Sequence, residues 1–283
     1  MKTYGLLGRN ISYSLSPFMH NAAFKALGIK SEYKIFDLKE NEIDAFFSDM
    51  KKGTISGCNV TIPYKEKVLL LTDKNDDVVK NIGALNTITF KNSKLLGYNT
   101  DCQGFIESLI GEHPGDLNFH AKEKDVFIFG AGGAAKAIIY GLINSGARRI
   151  IIADIDNDKA EKMAQSVTAN ENVNAVIAVL SDSSKYEEFI SKTDLLINAT
   201  PCGMKSEDKD LFDYKYIHEK LNVFDLIYTH DTPLVKEARH QGARAINGLN
   251  MLLYQAGASF KIWTDTKAPL DVMKRTLLEN IEK

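Results

Sequence analysis

The sequence predicts an α/β protein of two domains, and three observations carry that prediction. Strand-like and helix-like segments alternate along nearly the whole chain. The strands of the second half are unbroken apolar runs such as Val126-Phe127-Ile128-Phe129, the pattern of strands covered on both faces in a parallel sheet. The length of 283 residues is close to two domains of about 150 residues each.

In chain order, the pattern predicts a strand over 2–8, a helix over 17–27 and a strand over 31–38. Pro17 suits a first helical turn, Ser16 before it suits an N-cap, and Gly28 suits a C-terminal stop. An amphipathic helix follows over 40–51, then a short strand over 55–60. Strands over 85–90 and 94–98 flank Lys91-Asn92-Ser93 and read as a hairpin. The breaker cluster Gly111-Glu112-His113-Pro114-Gly115-Asp116 precedes the second half. There the prediction is strand 124–129, helix 134–144, strand 149–154 and helix 158–166, then strands over 174–179, 195–198 and 222–225. No internal repeat or low-complexity segment interrupts this order.

Composition excludes several classes of function. A hydrophobic content of 44% and a charged content of 25% are those of an ordinary soluble globular protein. Lys+Arg 35 against Asp+Glu 37 gives a net charge of −2, without the concentrated basic charge that nucleic-acid binding needs. No apolar run approaches the roughly 18 to 20 residues that cross a bilayer. Met1-Lys2-Thr3-Tyr4 enters a strand without the layout of a signal peptide. Cys58, Cys102 and Cys202 are odd in number, far apart and never in a C-x-x-C pair, so neither a disulfide framework nor a zinc site is expected. His20, His113, His120, His218, His230 and His240 are scattered without ligand spacing, and no metal is expected. The expected location is a reducing cytoplasm.

The segment from Val126 to Lys136 reads strand, glycine turn, helix: Gly130-Ala131-Gly132-Gly133-Ala134-Ala135. A first glycine permits a sharp turn and a second lets backbone N–H groups approach a pyrophosphate, which the helix N-terminus attracts. Gly130 and Gly132 hold those positions, and Ala135 fills the third, where a small residue suffices for helix–strand packing. A bare glycine cluster is as often only a tight turn, but the next strand ends on Asp154, close to the expected spacing of about 20 residues. A carboxylate there would accept hydrogen bonds from the adenosine ribose and repel a 2′-phosphate. Alternatively Asp154 caps the following helix, a task that Asp156 or Asp158 could also perform. The second domain is thus expected to be a doubly wound, Rossmann-type dinucleotide-binding domain.

The first hundred residues carry polar groups that packing does not require. Ser14-Leu15-Ser16-Pro17 sets two hydroxyls beside a helix N-terminus, which suits a carboxylate. For an isolated Lys or Asp a solvated face is the ordinary explanation. Here Lys65 and Asp101 stand within longer motifs. S-x-S-P-x-x-H-N lies at 14–21, N-V-T-x-P-x-K at 59–65, G-A-x-N-T at 83–87 and G-x-N-T-D at 97–101. They are followed by G-A-G-G-A-A at 130–135, N-A-T-P-x-G-M at 198–204, D-L-I-Y at 225–228 and N-G-L-x-M-L-x-x-Q-A at 247–256. In this order over nearly the whole chain, the motifs closely resemble the shikimate dehydrogenase and quinate/shikimate dehydrogenase family.

The resemblance implies an N-terminal α/β substrate domain, residues 1–103, that takes back the C-terminal helices, 248–283, around a Rossmann domain over 104–247. It implies reversible, nicotinamide-dependent reduction of 3-dehydroshikimate to shikimate, a step toward chorismate and the aromatic amino acids, by a monomer or homodimer. Ser14 and Ser16 match the residues that hold the substrate carboxylate; Lys65 and Asp101 match the pair flanking the reacting carbon. Thr61, Asn86 and Gln255 match residues that hydrogen-bond the ring hydroxyls, and Tyr228 one near the carboxylate and nicotinamide. Gly130, Ala131, Gly132, Gly133, Ala134, Asp154, Thr200, Met204 and Gly248 fall where the dinucleotide is expected, Met204 beside the nicotinamide.

Three segments depart from the family pattern. Asn10-Ile11-Ser12-Tyr13 replaces the usual P-x-x-H before Ser14, Thr229-His230 replaces Asn-Pro after Tyr228, and Ala153-Asp154-Ile155 replaces Asn-Arg-Thr after the second Rossmann strand. The family resemblance points to NADP, whereas Asp154 favours NAD. In hydride transfer the cofactor carries the difficult step and the protein supplies position and proton handling. Lys65 would move the proton or stabilise the developing oxyanion, since a buried lysine's pKa can fall toward neutrality, and Asp101 would orient it. Two other readings stay open: a quinate dehydrogenase, against which Ser16 leans because quinate-preferring members more often carry threonine there, and a ligand-sensing member without catalysis.

Overall fold

Apolar strands pair, and their crossover helices cover the faces, in two separate sheets. The computed structural model describes residues 1–168 and 175–281. Contacts divide the chain into Met1–Gly104 with the segment from Leu253 onward, and Phe105–Leu252.

The first unit contains β1 (Lys2–Gly8), α1 (Ser16–Ala26), β2 (Ser31–Asp37), α2 (Ile43–Lys51), β3 (Gly57–Val60), β4 (Lys74–Asn75), α3 (Asp77–Ile82), β5 (Thr87–Lys91) and β6 (Lys94–Tyr98). Its sheet runs β2-β1-β3-β5-β6-β4, parallel from β2 to β3 and antiparallel where β5 meets β3 and β6. The β5–β6 hairpin turns on Asn92 and Ser93, both at positive φ (53° and 59°), as a two-residue turn matching strand twist requires. One core joins Leu7, Cys58, Val60 and Ile88 of the sheet to Ile43, Phe46, Phe47 and Met50 of α2.

α4 (Thr100–Ile110) starts in the first unit and leads into the second, which holds β7 (Asp125–Phe129), α5 (Gly133–Asn144), β8 (Arg149–Ala153), α6 (Asn157–Thr168), β9 (Val176–Val179), α7 (Tyr186–Ile190), β10 (Leu195–Asn198), β11 (Asn222–Asp225), α8 (Pro233–His240) and β12 (Arg244–Ile246). The strand expected over 174–179 begins at a residue outside those described. The sheet is wholly parallel in the order β12-β11-β10-β7-β8-β9. This is the doubly wound order, with its reversal between β7 and β10, where such sheets bind dinucleotides. Alternate residues of β7 feed two cores: Val126 and Ile128 pack on one face, Phe127 and Phe129 on the other. α9 (Leu249–Thr264) and α10 (Leu270–Ile281) complete the chain.

One expected local feature is corrected. Ser16 does not cap α1; it lies inside the first turn, Leu15 holds the N-cap position without a side-chain bond, and Pro17 follows. The Oγ of Ser14 instead accepts the Ser16 N–H (3.3 Å), so the Ser16 hydroxyl is not committed to its own helix end.

Candidate active site

Strand register in the first unit brings three motifs side by side. Asn59 pairs with Thr87 across β3 and β5, and Thr87 with Tyr98 across β5 and β6. One residue beyond β6, Asn99 caps α4 by accepting the N–H groups of Asp101 (3.1 Å) and Cys102 (3.3 Å), while its own amide donates to Ala84 O (2.9 Å). Asp101 is thereby fixed in the first turn of a helix, where its negative charge is favoured. Lys65 sits at the end of a turn containing a cis Ile62–Pro63 peptide; its carbonyl accepts the Leu85 N–H (2.9 Å).

The side chains then meet. Lys65 Nζ donates to Asp101 Oδ2 at 2.5 Å, and Asn86 Nδ2 donates to Asp101 Oδ1 at 2.7 Å. Both carboxylate oxygens are engaged in a pair that is only 16% and 9% exposed at its side chains. The same Asn86 amide lies 2.9 Å from Thr100 Oγ1 and 3.4 Å from Gln255 Oε1. Its carbonyl accepts the Thr100 N–H (2.8 Å). Ser14 Oγ donates to Ser16 Oγ (3.2 Å), so the two serines also form a pair. Thr61 donates its N–H to Leu7 O (2.9 Å) and packs its methyl against Gly8. Of the residues expected to bind substrate, Asn86 and Gln255 thus gather at the Lys65–Asp101 pair, the serines gather at α1, and Tyr228 belongs to the second unit.

Three polar residues joined to this cluster stood in motifs without an assigned role, and one stood in none. Asn59 Nδ2 donates to Thr87 Oγ1 (3.0 Å) and to Ser259 Oγ (2.9 Å). Thr100 Oγ1 lies 3.1 Å from Ser259 Oγ. Ser259 stands one helical turn after Gln255 on α9, so the i, i+4 spacing was the available signal. Asp37 anchors the departing segment before the serines by accepting the N–H groups of Asn10 (2.9 Å) and Ile11 (3.1 Å). Those bonds, with Arg9, hold its carboxyl below the usual value.

His20, on the serine-bearing helix, is fully buried, and burial lowers its pKa from 6.5 to about 3. The unfolded chain therefore takes up a proton that the folded one refuses, and stability falls as pH drops from about 6.5 toward 3. Between pH 7 and pH 5 the expected loss is about 2 kcal/mol. Urea unfolding at both pH values checks this against His20→Phe, which keeps an aromatic ring but cannot titrate; an equal loss in both proteins would assign the effect to other groups.

In the second unit, the turn after β7 fits a dinucleotide. Gly130 has φ +103°, and a Cβ there would meet Ala199 O at 2.8 Å, so glycine is required on both counts. Gly132 precedes α5, and a Cβ built on it meets nothing within 4 Å, leaving open space before the N–H groups of Gly133 and Ala134. Ala131 gives its N–H to Asp154 Oδ2 (2.7 Å), while Asp154 Oδ1 accepts the Asp156 N–H (3.0 Å). Capping of α6 falls to Asp156, which accepts the Lys159 N–H (3.1 Å). Asp154 is thus held against the glycine turn rather than spent on the helix, with Lys159 Nζ 3.9 Å away.

The loop after β10 is similarly braced. Asn198 Oδ1 accepts from the Thr200 N–H (3.0 Å) and hydroxyl (2.7 Å), while its amide donates to Asp225. Burial raises the Asp225 pKa against the opposing bonds from Ile227, Thr232 and Asn198. Met204, 45% exposed, lies between Gly203 and Lys205, whose N–H groups both bond Asp208. His230 Nε2 meets Gly203 O at 2.9 Å, and Thr229 Oγ1 meets its Nδ1 at 3.0 Å. Because a carbonyl only accepts, Nε2 carries a proton. Gly248 is explained by packing, since a Cβ there would meet Leu226 O at 2.3 Å.

Among the described residues there is no cluster suited to a metal, and no helix is long and apolar enough to cross a membrane. All three cysteines are free.

Comparison with known proteins matches three stretches: residues 6–88 to the shikimate dehydrogenase substrate binding domain, 115–227 to shikimate / quinate 5-dehydrogenase, and 248–278 to the shikimate 5′-dehydrogenase C-terminal domain. A shikimate dehydrogenase (NADP(+)) of Aquifex aeolicus is 37% identical over 274 residues, covering 97% of this chain and 95% of that protein. The crystal structure of shikimate 5-dehydrogenase from Listeria monocytogenes in complex with shikimate and NAD superposes with a TM-score of 0.88 at 29% identity, covering 97% and 96%. Quinate dehydrogenase from Corynebacterium glutamicum in complex with NAD gives 0.89 at 28%, covering 98% and 99%. With full-length relatives above 30% identity and matched domains along its length, the chain belongs to the shikimate dehydrogenase family.

Proposed function

We propose that the protein catalyses the reversible, nicotinamide-dependent interconversion of 3-dehydroshikimate and shikimate, the step that the family resemblance places on the route to chorismate. The observation that carries this reading is the shielded Lys65–Asp101 pair, held by Asn86 beside Gln255 in the unit that also holds Ser14 and Ser16. Bound nicotinamide supplies the hydride acceptor or donor. The chain supplies the rest. Ser14 and Ser16 donate hydroxyl hydrogen bonds to the ring carboxylate, while Thr61, Asn86 and Gln255 address the ring hydroxyls. In reduction Lys65 Nζ donates a proton to the carbonyl oxygen as hydride reaches its carbon; in oxidation Nζ takes the hydroxyl proton back. Asp101 stays an acceptor throughout, aiming the ammonium and offsetting its charge. With the dinucleotide bound, the N–H groups of Gly133 and Ala134 at the α5 terminus would hold its pyrophosphate, Asp154 its adenosine ribose, and Thr200 and Met204 would line its nicotinamide side.

Initial rates of dinucleotide reduction with shikimate and with quinate test the reading. Efficient turnover of shikimate supports it; efficient turnover of quinate alone makes the protein a quinate dehydrogenase; no turnover of either makes it a sensor.

The cofactor reading is NAD over NADP. Asp154 is fixed beside the glycine turn by Ala131 and Asp156, where it would accept from the ribose hydroxyls of a bound dinucleotide and would repel a 2′-phosphate. The following Ile155 is fully exposed and Asp156 adds a second acid; Lys159, 3.9 Å from Asp154, offsets part of this charge. One or two like charges in a partly solvated site cost NADP about 1 to 3 kcal/mol, roughly one to two orders of magnitude in affinity. Titration with each dinucleotide measures the gap, and Asp154→Ala is expected to narrow it. Equal or tighter NADP binding by the unsubstituted protein would overturn the preference.

A further inference from the structure

We propose that Ser259 is a positioning residue: its buried hydroxyl sets the register of α9 on the sheet of the first unit and so delivers Gln255, one turn earlier on the same helix face, to Asn86 and Asp101. The role rests on the shikimate reading and deepens it. Ser259 is fully buried, and its oxygen meets three segments at once. Asn59 Nδ2 of β3 lies at 2.9 Å, Thr87 Oγ1 of β5 at 2.8 Å and Thr100 Oγ1 of α4 at 3.1 Å.

The obligate donors and acceptors fix the direction of these bonds. Ser259 gives its own proton to Gln255 O (3.0 Å), a carbonyl that can only accept. Asn59 turns its amide nitrogen inward, because Nδ2 also reaches the Asn86 carbonyl (3.2 Å) while Oδ1 accepts the Tyr33 hydroxyl proton (2.8 Å). The Ser259 oxygen is therefore left to accept, from Asn59 and from one of the two threonine hydroxyls. Asn86 directly precedes β5, and Asp101 stands in the first turn of α4. One oxygen thus ties α9 to the elements on which both are mounted.

That tie is the middle rung of a seam. Gln255, Ser259 and Trp263 follow one another at one-turn spacing on α9 and share a face. They meet three successive residues: Gln255 Oε1 lies 3.4 Å from Asn86 Nδ2, Ser259 meets Thr87, and Trp263 Nε1 donates to Ile88 O at 3.0 Å. Gly57 of β3 makes room for the third rung, since a Cβ there would lie 2.7 Å from Trp263 Nε1. Of the three contacts the Gln255 one is the longest, and Gln255 is the residue expected to address the ring hydroxyls. Ser259 is the rung next to it.

Ser259→Ala removes the hydroxyl and keeps a good helix former. It orphans no buried group: Asn59 Nδ2 keeps Thr87 and the Asn86 carbonyl, and both threonine hydroxyls keep Asn86 Oδ1 (2.9 and 3.1 Å). In steady-state assays the KM for shikimate is expected to rise about five- to tenfold, the scale of one neutral hydrogen bond. The KM for the dinucleotide is expected to stay within about twofold. In a Gln255→Ala background the same substitution should add less than about twofold, because Ser259 acts on the substrate through Gln255; a hydroxyl that only stabilises the fold would add its full effect there. Ser259→Cys, which fills the site but hydrogen-bonds weakly, should raise the same KM and serves as the test if Ser259→Ala does not fold. An unchanged shikimate KM in the folded variant, a parallel rise for both ligands, or full additivity with Gln255→Ala would overturn the role. If the unsubstituted protein turns over shikimate and Ser259→Ala matches it, the Ser259 role alone fails; if the unsubstituted protein has no turnover, the dehydrogenase reading fails and takes this role with it.

Discussion

Replacing Lys65 by alanine, or Asp101 by asparagine, is expected to lower turnover at least about a hundredfold, the usual scale for a group that moves a proton in the transition state. The two losses should not multiply, because the residues act as one pair joined at 2.5 Å. Asp101→Asn keeps the shape of the side chain and a possible bond to Asn86 but leaves Lys65 without its anionic partner. Lys65→Ala leaves a 9% exposed carboxylate still held at its side chain by Asn86 but without its cation, so some loss of stability is expected beside the loss of turnover. Thermal melting of each variant separates the two effects: turnover must fall in protein that is still folded at the assay temperature. Near-normal turnover in either folded variant would remove that residue from the chemistry.

The second large effect is expected at the other end of the ring. Ser14→Ala combined with Ser16→Ala should raise the KM for shikimate by about two orders of magnitude or more, since each hydrogen bond to a charged carboxylate is worth roughly 1.5 to 3 kcal/mol. The KM for the dinucleotide should barely move. Because Ser16 does not cap α1, its removal takes no cap from the helix; Ser14, which accepts the Ser16 N–H, carries the small structural part of the effect. Comparing the two single variants separates these contributions. A double variant that weakens both ligands equally would make the serines local structure and move the carboxylate site elsewhere.

How much of this was legible in the sequence depends on whether a residue's partners are near it in the chain. The turn at Gly130 was readable because strand, glycines and helix follow one another directly, and the parallel sheet was readable because its strands are apolar on both faces. Lys65, Asn86 and Asp101 were identifiable from motif resemblance, and the structure shows why those motifs go together: the register of β3, β5 and β6 lays them side by side. Ser259 was missed: its i, i+4 spacing from Gln255 was the one signal, and its polar partners lie on elements whose register the sequence does not display. Ser16 was misread as a cap because residue type alone does not reveal that the helix starts at Ser16 itself. At Asp154 the sequence left helix capping open; in the structure Asp156 takes the capping task and Asp154 bonds the glycine turn instead.

The most direct test of the central claim follows the hydride itself. Shikimate carrying deuterium on the carbon that bears the oxidised hydroxyl is incubated with the protein and oxidised dinucleotide, and the reduced cofactor is analysed by NMR and mass spectrometry. The account predicts deuterium at C4 of the nicotinamide, formed by the unsubstituted protein and lost at least about a hundredfold in rate with Lys65→Ala. Reduced cofactor without deuterium, or equal transfer rates by the two proteins, would contradict it.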